Sequence, residues 1–282
     1  MPEIKDLVSL SSRMMAAVRA IETQRPDALF KDPLAVKLAG DELIAEMAPS
    51  AQEYEDKGMP IVIMRTRFFD DFLMNEAASI RQVVILGAGM DTRAFRLPWQ
   101  NDTHIYELDK PEVLQYKTSV LGNLKTQGHR HPIEVDIREP WADKLIDSGY
   151  RVEIPSAWLM EGFLYYLSEN EVHEILKIIT QLSAPQSWLG ADLINSYFVS
   201  KNTEELSKTT GELSKHWKYG CDEPENLLTL YNWEASVLQP GDEGANYGRF
   251  THKLQPRNIR DTPHNFFVKA VLKVQPLSKK TG

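Results

Sequence analysis

The 282-residue chain predicts an α/β fold, a mostly parallel sheet with helices on both faces. Three observations carry this. Short apolar runs alternate with helix-length stretches from residue 83 to about residue 193. The first run, Val83-Val84-Ile85-Leu86, breaks directly into Gly87-Ala88-Gly89, a strand-to-helix turn. Two late β-rich stretches, Trp233 to Leu238 and Phe266 to Val274, suit an antiparallel edge on such a sheet.

Helices come first. Over residues 6–24, Leu7, Leu10, Met14, Ala17, Val18 and Ile21 recur at helical spacing. Asp32-Pro33 opens a second, short helix that runs through Ala39-Gly40. A third covers residues 61–77, with an apolar stripe of Ile61, Met64, Phe68 and Phe72. Arg65 falls on that stripe, four residues after Ile61 and three before Phe68. An inward guanidinium must meet an anion or lose its solvation. Spacing alone leaves three partners open: a ligand carboxylate, a structural ion pair, or solvent reached by snorkelling.

Strands are expected at 83–87, 104–108, 132–136, 156–161 and 187–193. Helices fall between them, near 91–95, 111–126, 141–148 and 169–183. Ser168 and Glu171 make a capping box for the last of these. Residues 197–230 break the alternation. They are polar around Phe198, Leu206, Leu213 and Trp217, and predict a late helical insertion over the sheet as a lid, or else a solvated hairpin. The expected organisation is one domain, 1–282, with an N-terminal helical cap over 1–80 and the lid at 197–230.

A net charge of −8 without a long basic run argues against a nucleic-acid partner. The single Cys221 excludes an intramolecular disulfide and a cysteine metal cluster. No apolar run approaches the roughly 18 residues of a membrane span. Glu3, Lys5 and Asp6 are unlike a signal peptide. A cytoplasmic protein without a membrane partner is expected.

Ligands of parallel sheets bind at the carboxyl ends of the strands. Here those ends carry Gly87, Asp109, Asp136 and Glu161. Taken singly, Asp136 and Glu161 read as caps or surface acids; their shared position sets them apart. The glycine turn followed about 20 residues later by Asp109 marks a nucleoside site, since a carboxylate accepts hydrogen bonds from ribose hydroxyls. A dinucleotide fits poorly. Thr92 stands where a pyrophosphate turn wants a third glycine, and Asp91 at the helix start repels phosphate. No Gly-Lys-Ser/Thr follows, so a nucleotide phosphate loop fails too. A cofactor with a ribose and no phosphate fits, S-adenosyl-L-methionine being the common one.

Several ordered motifs then resemble the leucine carboxyl methyltransferase family. They are Arg19-Ala20-x-Glu22, Phe30-x-Asp32-Pro33-Leu34-Ala35, Arg65-Thr66-Arg67-Phe68-x-Asp70-Asp71 and Leu86 to Arg93. Tyr106 to Val113 with Lys117, Val135-Asp136-Ile137-Arg138 and Glu161-Gly162-x-Leu164-x-Tyr166-Leu167 complete the set. The match covers roughly residues 10–195. It implies a class I, Rossmann-like methyltransferase fold using S-adenosyl-L-methionine. It also implies roles. Arg65 would bind the cofactor carboxylate, with Arg19 the nearest candidate for a second basic contact. Gly87, Ala88 and Gly89 would pass close to the cofactor, and Asp109 would hold the ribose. Asp136 and Ile137 would flank the adenine, and Glu161 would approach the amino acid part.

The family includes a branch that methylates the C-terminal leucine of a protein phosphatase. Many bacterial members resemble small-molecule O-methyltransferases. No specific match to the phosphatase branch follows residue 195, so a small-molecule acceptor is expected. A binding protein that kept the fold and lost catalysis stays open, as does the less favoured nicotinamide-dependent oxidoreductase. A carboxylate acceptor needs no base, whereas a hydroxyl benefits from one. His252 and His264 are loop candidates for that base, and Tyr166 and Arg138 for contact with the acceptor. Each has a bland alternative in solvent, packing or a surface ion pair.

Overall fold

A computed structural model describes residues 7–200 and 212–273 of the chain. The N-terminal segment folds into α1 (Leu7–Gln24), α2 (Pro33–Ala39), α3 (Asp41–Asp56) and α4 (Ile61–Met74). Strands and helices then alternate through β1 (Gln82–Leu86), α5 (Arg93–Arg96), β2 (His104–Asp109), α6 (Pro111–Leu121), β3 (His129–Glu134), α7 (Ala142–Asp147) and β4 (Ser156–Met160). After a 3-10 turn at Leu164–Tyr166 come α8 (Glu169–Gln181), β5 (Trp188–Ile194), α9 (Ser196–Ser200) and a second 3-10 turn at Glu212–His216. The described part closes with α10 (Pro224–Thr229), β6 (Trp233–Leu238) and β7 (Asn265–Leu272).

One seven-stranded sheet has the order β3-β2-β1-β4-β5-β7-β6. The first five strands run parallel, and β7 pairs antiparallel with both β5 and β6. The order reverses between β1 and β4, which opens a crevice at their carboxyl ends. Central strands bury both faces, so they read as unbroken apolar runs. Val84, Leu86, Tyr106, Leu108, Trp158 and Met160 pack on one side with Val172, Leu176 and Ile179 of α8. Val83, Ile85, Ile105, Ala157 and Leu159 pack on the other with Phe68, Phe69 and Phe72 of α4. Ser168 caps α8 with the reciprocal Glu171 bond, as its spacing predicts.

Several boundaries differ from expectation. Strand β3 begins at His129 rather than 132 and ends at Glu134, so Asp136 lies in the following turn. Its burial is mixed because it is the sheet edge, and an edge carries little apolar signal. Helix α3 has no counterpart among the predicted elements: only its Leu43 is buried, so it shows no stripe. In α1 the buried residues include Ala16, Ala17, Arg19 and Ala20, while Val18 and Ile21 are half-buried. Small side chains let α1 lie close to α2, where Ala35, Leu38 and Ala39 meet it. The described part of the 197–230 insertion consists of the short helices α9 and α10 and a 3-10 turn rather than long helices. Leu206 and residues 201–211 fall outside the described residues, as does Val274. The β6–β7 connection reaches back to the N-terminal helices, where Arg249 bridges Glu22 and Glu55 and Thr251 N–H donates to Gly58 O.

Candidate functional site

The glycine turn after β1 is shaped by what stands over it. Gly87 takes φ +65° and Gly89 φ +44°, left-handed values that suit glycine. A Cβ on Gly87 would lie 2.5 Å from the Phe163 ring, and one on Gly89 would lie 2.9 Å from Ser12 Cβ of α1. The turn therefore packs its backbone closely under Phe163 and Ser12, where a side chain would not fit.

Asp109 closes the turn from the side. Ala88 N–H donates to Leu108 O at 3.1 Å, and Gly89 N–H donates to Asp109 Oδ2 at 2.6 Å. Asp109 Oδ1 accepts from Lys110 N–H at 2.7 Å. Each oxygen keeps a lone pair for another donor. Burial pushes this carboxyl up to about 6, although the Gly89 and Lys110 N–H groups pull it down. Glu107 shares the strand face but is fully buried, with Lys117 Nζ at 2.9 Å and Arg130 Nη2 at 2.8 Å. The strand end thus divides its two acids into one locked in ion pairs and one held, among the described residues, by backbone amides.

Asp136 and Ile137 follow β3. Val135 N–H donates to Asp109 O at 2.9 Å, which brings this turn beside Asp109. The Arg138 guanidinium bonds both Asp136 oxygens and holds the carboxyl down at about 2. Ile137 is buried and Arg138 half-exposed.

Beyond β4 the charges condense. Arg65 Nε bonds Glu161 Oε1 at 3.0 Å, and Arg65 Nη1 bonds Asp192 Oδ2 at 2.9 Å. Arg93 Nη1 takes the other Glu161 oxygen at 2.7 Å, and its Nε bonds Asp70 at 2.7 Å. Asp192 Oδ1 also accepts from Gly162 N–H at 2.6 Å. Arg65 is therefore seated among protein acids, one of the partners its spacing left open. Burial would raise the Glu161 carboxyl, but Arg93 and Arg65 outweigh it and hold it low. For Asp192 burial wins and the carboxyl is raised. Asp192, Arg93 and Asp70 escape a reading of strand ends. The one signal for Asp192 is a lone carboxylate in the apolar run Leu189 to Ile194.

Ser12 of helix α1 stands against Gly89, and the Tyr165 hydroxyl accepts from Arg65 Nη1 at 3.2 Å. Arg19 bonds Asp32 at 2.9 Å and Met90 O at 2.6 Å, so its charge is spent within the protein. Tyr165, Ile194 and Phe198 form a small cluster against which Tyr166 and Trp217 pack. Burial raises both tyrosine hydroxyls, Tyr165 the more. The histidine candidates do not join them. His264 is buried, with Nδ1 on Gln239 Oε1 at 2.6 Å and Nε2 on Ile259 O at 2.9 Å. His252 is exposed beside Phe250. A cavity of about 440 Å³ opens elsewhere, lined by Arg81, Ile154 and Trp188 at the amino ends of the strands. In this fold class ligands bind at the opposite ends, where the glycine turn lies.

Among the described residues no helix is long and apolar enough to cross a membrane. Comparison with known proteins points one way. The leucine carboxyl methyltransferase family matches residues 12–180. A protein of Parafrankia sp., named as a candidate S-adenosyl-L-methionine-dependent methyltransferase, is 39% identical over 225 residues, covering 73% of this chain and 70% of its own. A Streptomyces coelicolor protein named in the same way is 36% identical, covering 83% and 86%. Among solved structures, a candidate methyltransferase of Thermobifida fusca superposes with TM-score 0.58 at 16% identity, covering 93% of this chain and 94% of its own. A DUF574 family protein of Streptomyces avermitilis gives 0.54 at 12% identity, covering 91% and 96%. At these identities the two structures speak for the fold alone.

Proposed function

The chain belongs to the leucine carboxyl methyltransferase family, which makes it an S-adenosyl-L-methionine-dependent methyltransferase, and on that premise we propose that it methylates an oxygen of a small molecule. The cofactor's place rests on the pairing of Gly89 N–H with a carboxylate, Asp109, that has no bonded cation partner among the described residues. The glycine turn fits a nucleoside laid against it. Asp109 would hold the ribose hydroxyls, with Gly87, Ala88 and Gly89 against the cofactor and Asp136 and Ile137 beside the adenine. Arg65 would meet the cofactor carboxylate and Glu161 its amino group. Residues 1–80 and 197–230 would serve as cap and lid of one domain.

When bound, the cofactor supplies a methyl group on a sulfonium, whose departing sulfide is neutral. The protein's task is to align the acceptor oxygen, which is a matter of positioning. Asp91, Glu161 and Asp192 all stand in ion pairs or charge-assisted hydrogen bonds, and burial keeps Tyr165 and Tyr166 protonated. None of these five groups is poised as a base, which supports an acceptor that arrives ionised, a carboxylate, ahead of a neutral hydroxyl. The aromatic cluster of Tyr165, Tyr166, Phe198 and Trp217 suits an apolar body with polar edges.

A labelled-methyl assay on small organic acids and phenols, run beside a phosphatase C-terminal peptide, tests this. Label on acids is expected. Label only on the peptide would replace the small-molecule acceptor with a protein one. Label on nothing, with tight cofactor binding, would favour a non-catalytic binding protein.

A further inference from the structure

Lys117 of α6 is a lysine with no exposed surface. Burial of an ammonium is costly unless charge and hydrogen bonds compensate it. Its single bonded contact among the described residues is the ion pair with Glu107 Oε2 at 2.9 Å. That oxygen is already held by Arg130, through Nε at 2.9 Å and Nη2 at 2.8 Å. Two cations therefore share one carboxylate, and the cluster carries one positive charge in excess. Glu107 stands two residues before Asp109 on the same face of β2. Asp109 accepts two backbone N–H groups and, among the described residues, no side-chain cation. Lys117 helps to lower both carboxyls, that of Asp91 after Arg93 and that of Asp109 after the Gly89 and Lys110 N–H groups. Asp91 is paired with Arg93, whereas no cation is bonded to Asp109 among the described residues.

We propose that Lys117 is a positioning residue for the cofactor's ribose: anchored by Glu107 two residues before Asp109, its buried ammonium helps Asp109, held by the Gly89 and Lys110 amides, to keep its charge. This rests on the assignment of Asp109 to the ribose. Other charged groups also face the pair. They are Glu107 and Lys110 on either side of Asp109, Arg130 on β3, and Glu134 across from Asp109 and bonded to Gln115. Asp91 with Arg93 and Arg96 lies on the turn, and Asp136 with Arg138 lies beyond β3. Lys117 is the one among them that is both fully buried and cationic.

The experiment is calorimetric titration with S-adenosylhomocysteine between pH 5 and 9, on wild type, Lys117→Met, Lys117→Arg and Asp109→Asn. Lys117→Met leaves Glu107 paired with Arg130, so the fold is expected to hold; Lys117→Gln carries the test if it does not. In wild type, affinity should rise with pH to a plateau. In Lys117→Met the rise should move up by about one pH unit, with binding about tenfold weaker below it and within about twofold of wild type at pH 9. Lys117→Arg should restore the wild-type profile. A uniform loss at every pH, or an unmoved profile, overturns the role of Lys117. If Asp109→Asn binds as wild type with an unchanged profile, the ribose assignment itself fails, a separate outcome.

Discussion

The Gly89 amide donates to the Asp109 carboxylate at 2.6 Å, tying the turn after the first strand to the end of the second. Twenty residues separate the two, and the parallel pairing of Leu86 with Leu108 makes them neighbours. The contact holds the turn in its left-handed conformation and aims the acid across it.

That acid should make cofactor binding depend on pH. Burial raises Asp109 from 3.8 to about 6, so the folded protein holds a proton that the unfolded chain has already lost between those values. The contribution of this group to stability therefore falls as pH rises from about 4 to about 6. Ribose hydroxyls donate to the ionised form, so S-adenosylhomocysteine should bind more tightly as pH rises through about 6. The thermal shift it produces should grow between pH 5 and 7, and Asp109→Asn should flatten that growth. A shift independent of pH in the wild type would refute the assignment.

Glu107 should behave as the structural member of the pair. Removing it leaves Lys117 and Arg130 buried without their anion. Glu107→Ala is expected to cost about 3–5 kcal/mol of stability by denaturant titration. Asp109→Ala should cost less stability and more cofactor affinity. The reverse ranking would exchange the two roles.

Arg65 joins the ends of the fourth and fifth strands, and its loss should be felt twice. Arg65→Ala should weaken cofactor binding about tenfold or more, the worth of one charge-assisted hydrogen bond. It also strips Asp192 of its cation, leaving Gly162 N–H as its bonded partner among the described residues, so stability should fall by about 3 kcal/mol or more. Adding Asp192→Asn should recover much of the stability and none of the affinity. Recovery of both would make Arg65 a scaffold residue alone.

Gly87 offers a steric test. Alanine there must hold φ +65°, which costs about 1–2 kcal/mol, and must displace the Phe163 ring. Gly87→Ala should lower both the melting temperature and the affinity for S-adenosylhomocysteine. Phe163→Ala in the same chain should relieve the clash but not the backbone cost. Full recovery in the double variant would show that φ at this position is unconstrained.

Much of this protein was legible in local pattern. Apolar runs of strand length separated by amphipathic stretches determined the parallel sheet. Val83 to Gly89 determined the first strand and the turn that ends it, and Ser168 with Glu171 determined the start of α8. These signals repeat at two, three or four residues, the periods of strand and helix, so one stretch of chain contains them whole. The tertiary structure decided what such periods cannot hold. Glu161 and Asp192 lie 96 and 127 residues from Arg65, and only the strand order brings them to it. Which acid of β2 is locked and which is held by amides depends on Lys117 and Arg130 arriving from a helix and an edge strand. The buried face of α1 follows from the close approach of α2, which selects alanines over the larger Val18 and Ile21. A buried charge must find its counter-charge wherever the fold supplies one, and that choice is made between segments rather than within them.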